Sequence, residues 1–408
     1  MIGISRTRSY IVESLRELWV RPAHQMPALD ALRATAVLAV IISHFYNTFW
    51  RLNVNLPEPA MADGLIFYYG WTGVDLFFIL SGYLIGVQLW REKKKTGTIQ
   101  IWQFLVRRGF RIWPLYYVMV LMGVLTGELK PRLSDLFFVS NYFPAGYSRG
   151  WTLSTEEQFY IVVPLLLALT PWVKRLEGYF WLLGAAVVSV WLFRYYTCNT
   201  ILQTGVASCK ELGAMVTPIH VHNEALVAGL AIALLSITRP QYFDRKPGDG
   251  FSWRGFAVLA VSCTIAAVLY SINKMIFSFT ALALILGSVT LWLLWDRSFF
   301  SRPTAWRVWY PISRLSYGMY LNHFFLWSGI TAWVVLGLIE WIGSTILASY
   351  IGIIVGIMVS MLLSVLTFVF VERPFLLLRS RWIASQKSAK TAAQNANSAA
   401  VASPPNVP

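Results

Sequence analysis

The sequence predicts an all-α, polytopic integral membrane protein of about ten transmembrane helices, with both termini in the cytoplasm. Three observations carry this. Of 408 residues, 57% are hydrophobic and only 13% are charged, which excludes a soluble globular domain, a coiled coil and a disordered chain. Ten stretches are apolar over most of the roughly 20 residues that about 30 Å of hydrocarbon requires. Lys and Arg divide unevenly between alternate connecting segments, 26 on one side and 6 on the other, as cytoplasmic and outer loops do.

Taken in order, residues 1–28 carry Arg6, Arg8, Arg16 and Arg21 between short apolar stretches, so they read as a cytoplasmic segment and not as a cleavable signal. The expected spans lie near 29–49, 65–90, 112–128, 153–172, 179–196, 218–238, 255–271, 276–295, 313–339 and 346–371. The third is short, and Leu133–Phe143 after it is too short to cross. In the fourth, Ser154 and Glu157 have the spacing of a capping box before an apolar run. Residues 29–375 thus form one membrane domain, followed by a cytoplasmic tail, 376–408, whose Ala, Ser, Asn, Pro and Gln content predicts disorder. The 19 Trp and 19 Tyr suit repeated crossings of the interface. The net charge of +15 calls for acidic lipid or an anionic substrate and not for nucleic acid. Three cysteines cannot make a disulfide scaffold, although Cys198 and Cys209 share an expected outer loop in which a bridge could form.

Ionisable groups at membrane depth mark function by default. Arg33 and His44 sit on the first span, Asp75 on the second, Glu156 and Glu157 at the start of the fourth, His220, His222 and Glu224 on the sixth, and His323 on the ninth. Arg33 and His44 are eleven residues apart, so they share one helix face, separated by about 16 Å along the axis. With Asp30 as the helix cap, the cation lies near the cytoplasmic surface and the imidazole lies past the midplane. A plain reading has Arg33 reaching lipid phosphate and His44 bonding a neighbouring helix. Asp75, between glycines in GWTGVDLFFILSGYLI (70–85), must pair or hold a proton. Glu156, turned about 100° from Glu157, faces a cavity better than its neighbour. RRGFRIWPLYY (107–117) sets Arg108, Arg111 and Tyr116 where a cytoplasmic loop enters the third span, either as an interfacial belt or as a phosphate-binding rim. His220 and His222 are two apart and have no cysteine nearby, so no metal site is expected.

Taken together, LDALRATAVLAVIISHF (29–45), GVDLFFILSGYLI (73–85), RRGFRIWPLYY, WTLSTEEQFY (151–160), ISRLSYGMYLNH (312–323) and VERPF (371–375) resemble the acyltransferase-3 family in both content and order. The family's Arg, ten residues, His motif falls on Arg33 and His44. Ala31 and Ala34 stand where many relatives have Gly. The resemblance implies a bacterial inner-membrane O-acyltransferase that moves an acyl group, commonly acetyl, from acyl-CoA to a carbohydrate hydroxyl, with no permanently bound cofactor. It implies that His44 acts on the acceptor hydroxyl, with Asp75 or Glu156 fixing its tautomer, and that Arg33, Arg108, Arg111 and Tyr116 hold the donor. Some relatives carry an extracytoplasmic hydrolase-like domain, and none is expected after residue 375. The competing reading is a proton-coupled transporter, which would favour inverted repeats that this sequence does not display.

Overall fold

A computed structural model describes residues 2–22, 25–51, 69–127, 129–130, 132–143, 150–203, 215–243, 252–295, 299–326 and 332–402, and all regular structure among them is helical. In chain order the main helices are α1 (Ile2–Trp19), α2 (Pro27–Arg51), α3 (Gly73–Thr96), α4 (Ile101–Leu125), α5 (Trp151–Ala168), α6 (Tyr179–Gln203) and α7 (Glu224–Thr238). They are followed by α8 (Trp253–Ile272), α9 (Lys274–Trp295), α10 (Trp309–Leu326), α11 (Ala332–Ile342), α12 (Thr345–Thr367) and α13 (Arg373–Ala402).

Six helical stretches among the described residues are long and apolar enough to cross a membrane: Pro27–Phe45, Gly70–Thr96, Leu176–Gln203, Trp253–Ile272, Lys274–Trp295 and Thr345–Gln386. The chain is therefore an integral membrane protein. Among the other expected spans, α4, α5, α7 and α10 carry Arg108 and Arg111, Glu156 and Glu157, Glu224, and His323 respectively. Helix α7 is apolar but, at 15 residues, short, whereas α4, α5 and α10 carry their polar groups along the helix, and a bundle tolerates such groups only where they turn away from lipid. By contrast, α8 exposes Trp253, Phe256, Val261, Ile265 and Ile272, the character of a lipid-facing helix.

The centre of the bundle is the crossing of α3 and α7. Gly82 and Gly86 of α3 meet Gly229 and Ala233 of α7, so each helix presents small residues four positions apart. A Cβ on Gly82 would lie 2.2 Å from the Leu226 carbonyl oxygen, and one on Gly229 would lie 2.1 Å from that of Ile79. The two backbones touch, which only glycine permits. On its other side α3 packs against α2, and α2 packs against α10, which leans in turn on α12.

Several boundaries differ from expectation. Helix α2 starts at Pro27, so Asp30 lies inside its first turn and is not its cap. Its buried carboxylate instead accepts from Gln25 Nε2 at 2.7 Å and Ser313 Oγ at 3.1 Å and pairs with Arg21 Nε at 2.9 Å, tying the entry of α2 to α10. Helix α5 starts at Trp151, which places Ser154 within the helix, where its hydroxyl meets Ser140 Oγ at 2.7 Å; no capping box forms with Glu157. Helix α7 starts at Glu224 and not near 218, because Pro218 shapes a turn closed by Val221 N donating to its carbonyl. His220 and His222 therefore precede the helix. Helix α13 continues to Ala402 through residues whose composition predicts disorder; Ala, Gln and Lys are also good helix formers. Arg373, in VERPF, is buried and holds α1: it pairs with Glu13 at 3.0 Å and Glu17 at 2.9 Å and lies over the Tyr10 ring.

Candidate functional site

Five helices surround a cavity of about 120 Å³ lined by Arg33 of α2, Ser81 of α3, Arg108 and Arg111 of α4, Glu156 of α5 and Tyr320 of α10, among others. Three guanidiniums thus meet one carboxylate, and Arg111 is the most exposed of the three. Ser81 donates to Glu156, while Arg108 donates to Gln88 Oε1 at 3.3 Å and lies over the rings of Phe104 and Tyr160, each 5.6 Å from its centroid. Tyr317 of the same wall donates to the Ile112 carbonyl at 2.8 Å, fastening α10 to α4. The excess of positive charge in a partly desolvated space favours an anion, and the planar fork of Arg suits phosphate.

Farther along α2, on the face set by the eleven-residue spacing, His44 meets α10. Its Nδ1 lies 2.9 Å from Nε2 of His323, with the two rings edge to edge at a centroid distance of 5.1 Å and an interplanar angle of 17°. Tyr320, one turn before His323, links this pair to the cavity. It lines the cavity, its hydroxyl meets Thr152 Oγ1 at 2.6 Å, and its ring lies 5.6 Å from that of His323.

The structure therefore gathers Arg33, Arg108, Arg111 and Glu156 in one place and sets His44 beyond Tyr320. Asp75 and Tyr116 stand elsewhere. Asp75 is fully buried and pairs through Oδ1 with His222 Nε2 at 2.8 Å, while His222 Nδ1 faces the Val216 carbonyl at 2.9 Å. Tyr116 is buried against Phe138 and donates to the Asp135 carbonyl at 2.8 Å, which fixes a single helical turn, Leu133–Leu136, against α4. Glu157, about 100° round α5 from Glu156, is not among the cavity's lining residues and accepts from Trp113 Nε1 at 3.0 Å.

Sequence reasoning gave no part to Arg194, yet it organises the far side of the bundle. Fully buried on α6, it pairs with Glu224 at 2.9 Å, donates to the carbonyls of Val221 and Ile276, and lies over Phe279, and Thr280 adds a hydrogen bond to the same carboxylate at 2.8 Å. The signal for it was the lone Arg inside an apolar run, thirty residues before a lone Glu. Cys198 is disulfide-bonded, whereas Cys263 is a free thiol; the expected partner Cys209 lies outside the described residues.

A family model described as an acyltransferase domain matches residues 26–367. Among curated proteins, the peptidoglycan O-acetyltransferase OatA of Listeria monocytogenes is 34% identical over 175 residues, which is 37% of this chain and 25% of that protein. The putative peptidoglycan O-acetyltransferase YrhL of Bacillus subtilis is 26% identical over 336 residues, 73% of this chain and 48% of that protein. A putative O-acetyltransferase of Staphylococcus aureus is 32% identical over 200 residues, 43% of this chain and 30% of that protein. The chain thus spans less than half the length of each of these relatives. No solved structure matches.

Proposed function

The chain belongs to the acyltransferase family whose domain matches residues 26–367, and from that premise we propose that it is an inner-membrane O-acetyltransferase that moves an acetyl group from acetyl-CoA to a hydroxyl of an envelope glycan, with peptidoglycan as the first acceptor to test. The observation that carries this reading is the alignment of a cationic cavity with an imidazole along one face of α2. The donor's phosphates meet Arg33, Arg108 and Arg111 from the cytoplasmic side. A cavity of about 120 Å³ is well below the roughly 300–1,000 Å³ of a whole-ligand site, so it takes the donor's phosphates alone, while the nucleoside stays outside and the pantetheine arm carries the thioester past Tyr320 toward His44. His44 removes the proton from the acceptor hydroxyl as its oxygen attacks the thioester carbonyl. The C–S bond breaks, and the CoA thiolate recovers that proton from the imidazolium. Asp75 and Glu156 serve this reaction at a distance from His44, Glu156 as the carboxylate that lines the cavity and Asp75 through its bond to His222. The names of the relatives, two of which specify peptidoglycan, support the acceptor class.

The test is transfer of label. Inverted membrane vesicles containing the chain, given acetyl-CoA labelled in the acetyl group, should yield alkali-labile label in the glycan fraction. Vesicles in which labelled acetyl-CoA is neither consumed nor transferred overturn the reading, whereas label in a non-glycan hydroxyl corrects only the acceptor.

A further inference from the structure

Resting on the acyl-transfer reading above, we infer that His323 is the residue that makes His44 a base, by fixing the tautomer in which Nε2 of His44 carries the lone pair. Three linked groups carry the argument. The Met319 carbonyl oxygen can only accept, and it lies 3.3 Å from Nδ1 of His323. In the neutral ring the proton of His323 therefore sits on Nδ1, and Nε2 holds a lone pair. That lone pair faces Nδ1 of His44 at 2.9 Å, so His44 is the donor in this bond and its own proton sits on Nδ1. A neutral imidazole has one ring proton, which leaves Nε2 of His44 as the basic nitrogen.

The order of groups is thus carbonyl, His323, His44, acceptor hydroxyl, with each proton pointing back toward Met319. In many hydrolases a carboxylate fills the place taken here by His323. The two carboxylates expected for that task are engaged elsewhere, Asp75 with His222 and Glu156 with Ser81. A second imidazole differs from a carboxylate in one chemical respect: it is a neutral base of the same intrinsic strength as His44, so a proton can be shared between the two. When His44 Nε2 takes the hydroxyl proton, the Nδ1 proton of His44 can move across the 2.9 Å bond to His323 Nε2, so the positive charge is shared between two nearly coplanar rings. The same proton returns when the CoA thiolate is protonated, and the pair ends as it began. His323 is a positioning residue in this scheme, since it acts through His44.

The geometry is tested first without reference to turnover. In nanodiscs holding the full chain with ring-labelled ¹⁵N histidine, spectra report which nitrogen of each ring is protonated, and the five histidines are few enough to assign with His44→Gln and His323→Gln. The expected result is a protonated Nδ1 and a bare Nε2 on His44, with scalar coupling across the bond from His44 Nδ1 to His323 Nε2. A protonated Nε2 on neutral His44, or no coupling, overturns the inference.

Turnover supplies the second arm. His323→Leu removes the acceptor and should lower kcat by roughly 10²-fold or more, the scale of general-base loss, with the KM for acetyl-CoA within about twofold. His323→Gln keeps an oxygen acceptor for Nδ1–H and should recover most of that loss. Equal losses in the two variants at matched thermal stability, or a His323→Leu chain with nearly wild-type kcat, contradict the role. A wild-type chain that turns over no thioester removes the acyl-transfer reading, while the spectra still decide the tautomer.

Discussion

Arg33 enters the cavity from α2 beside two arginines of α4, and Glu156 is the one carboxylate among the lining residues. If the uncompensated charge serves the donor's phosphates, geometry matters as well as charge. Arg33→Lys keeps the cation and loses the bidentate fork, so the KM for acetyl-CoA should rise about tenfold, on the scale of one charge-assisted hydrogen bond, with a smaller change in kcat. Titration of acetyl-CoA in nanodiscs checks this, and an unchanged KM in a folded variant would return Arg33 to a lipid-anchoring role. Arg194 makes the opposite kind of prediction. Arg194→Met leaves Glu224 buried without its partner, which costs about 3–5 kcal/mol and should appear as lost thermal stability or lost expression before any change in KM. At this scale α2 was legible, because a spacing of eleven residues on a 3.6-residue helix fixes two side chains on one face whatever the rest of the fold does. The partners were not legible. That His44 meets His323, and Asp75 meets His222, depends on which helices adjoin, and residues 279 and 147 positions apart leave no local trace of that.

Among the elements, the contact of α3 with α7 is the closest in the bundle and the least tolerant of change. Gly82→Leu sets a side chain against the Leu226 carbonyl and should cost about 1–3 kcal/mol or more, enough to lower the unfolding midpoint in detergent measurably. A comparable substitution at Gly184 of α6, where nothing lies within 4 Å of the added Cβ, should be nearly silent and serves as its control. The glycines of 70–85 were readable as a close approach, but their partner segment was not. The errors of boundary share one cause. Hydropathy averages over a window, so the mixed stretch 218–223, with His220, His222 and Asn223 among its residues, merges with the apolar run that follows; the start at Glu224 comes after the Pro218 turn. Likewise, α4, α5 and α10 are less apolar than the lipid-facing helices because the site is built from them, so the elements that matter most for chemistry give the weakest hydropathy signal.

For the whole molecule, the proposed arrangement is ten crossings with both termini in the cytoplasm, the cationic cavity opening toward cytoplasmic acetyl-CoA and His44 lying past the midplane toward the acceptor. Reporter fusions after residue 97 and after residue 400 should both read cytoplasmic, and one after residue 205 should read outside; an outside signal at 97 would reverse the arrangement and detach the cavity from its donor. The six long apolar stretches support membrane insertion without fixing this count.

The central claim is that His44 is the base in acyl transfer, and the most direct measurement is acceptor-dependent release of CoA thiol by the purified full chain in nanodiscs, compared with His44→Ala at equal incorporation. The loss of one polar side chain leaves α2 apolar enough to insert, so the account predicts an intact, folded variant whose kcat falls by roughly 10²–10⁴-fold while binding of acetyl-CoA persists. Thiol release by His44→Ala at close to the wild-type rate would contradict it.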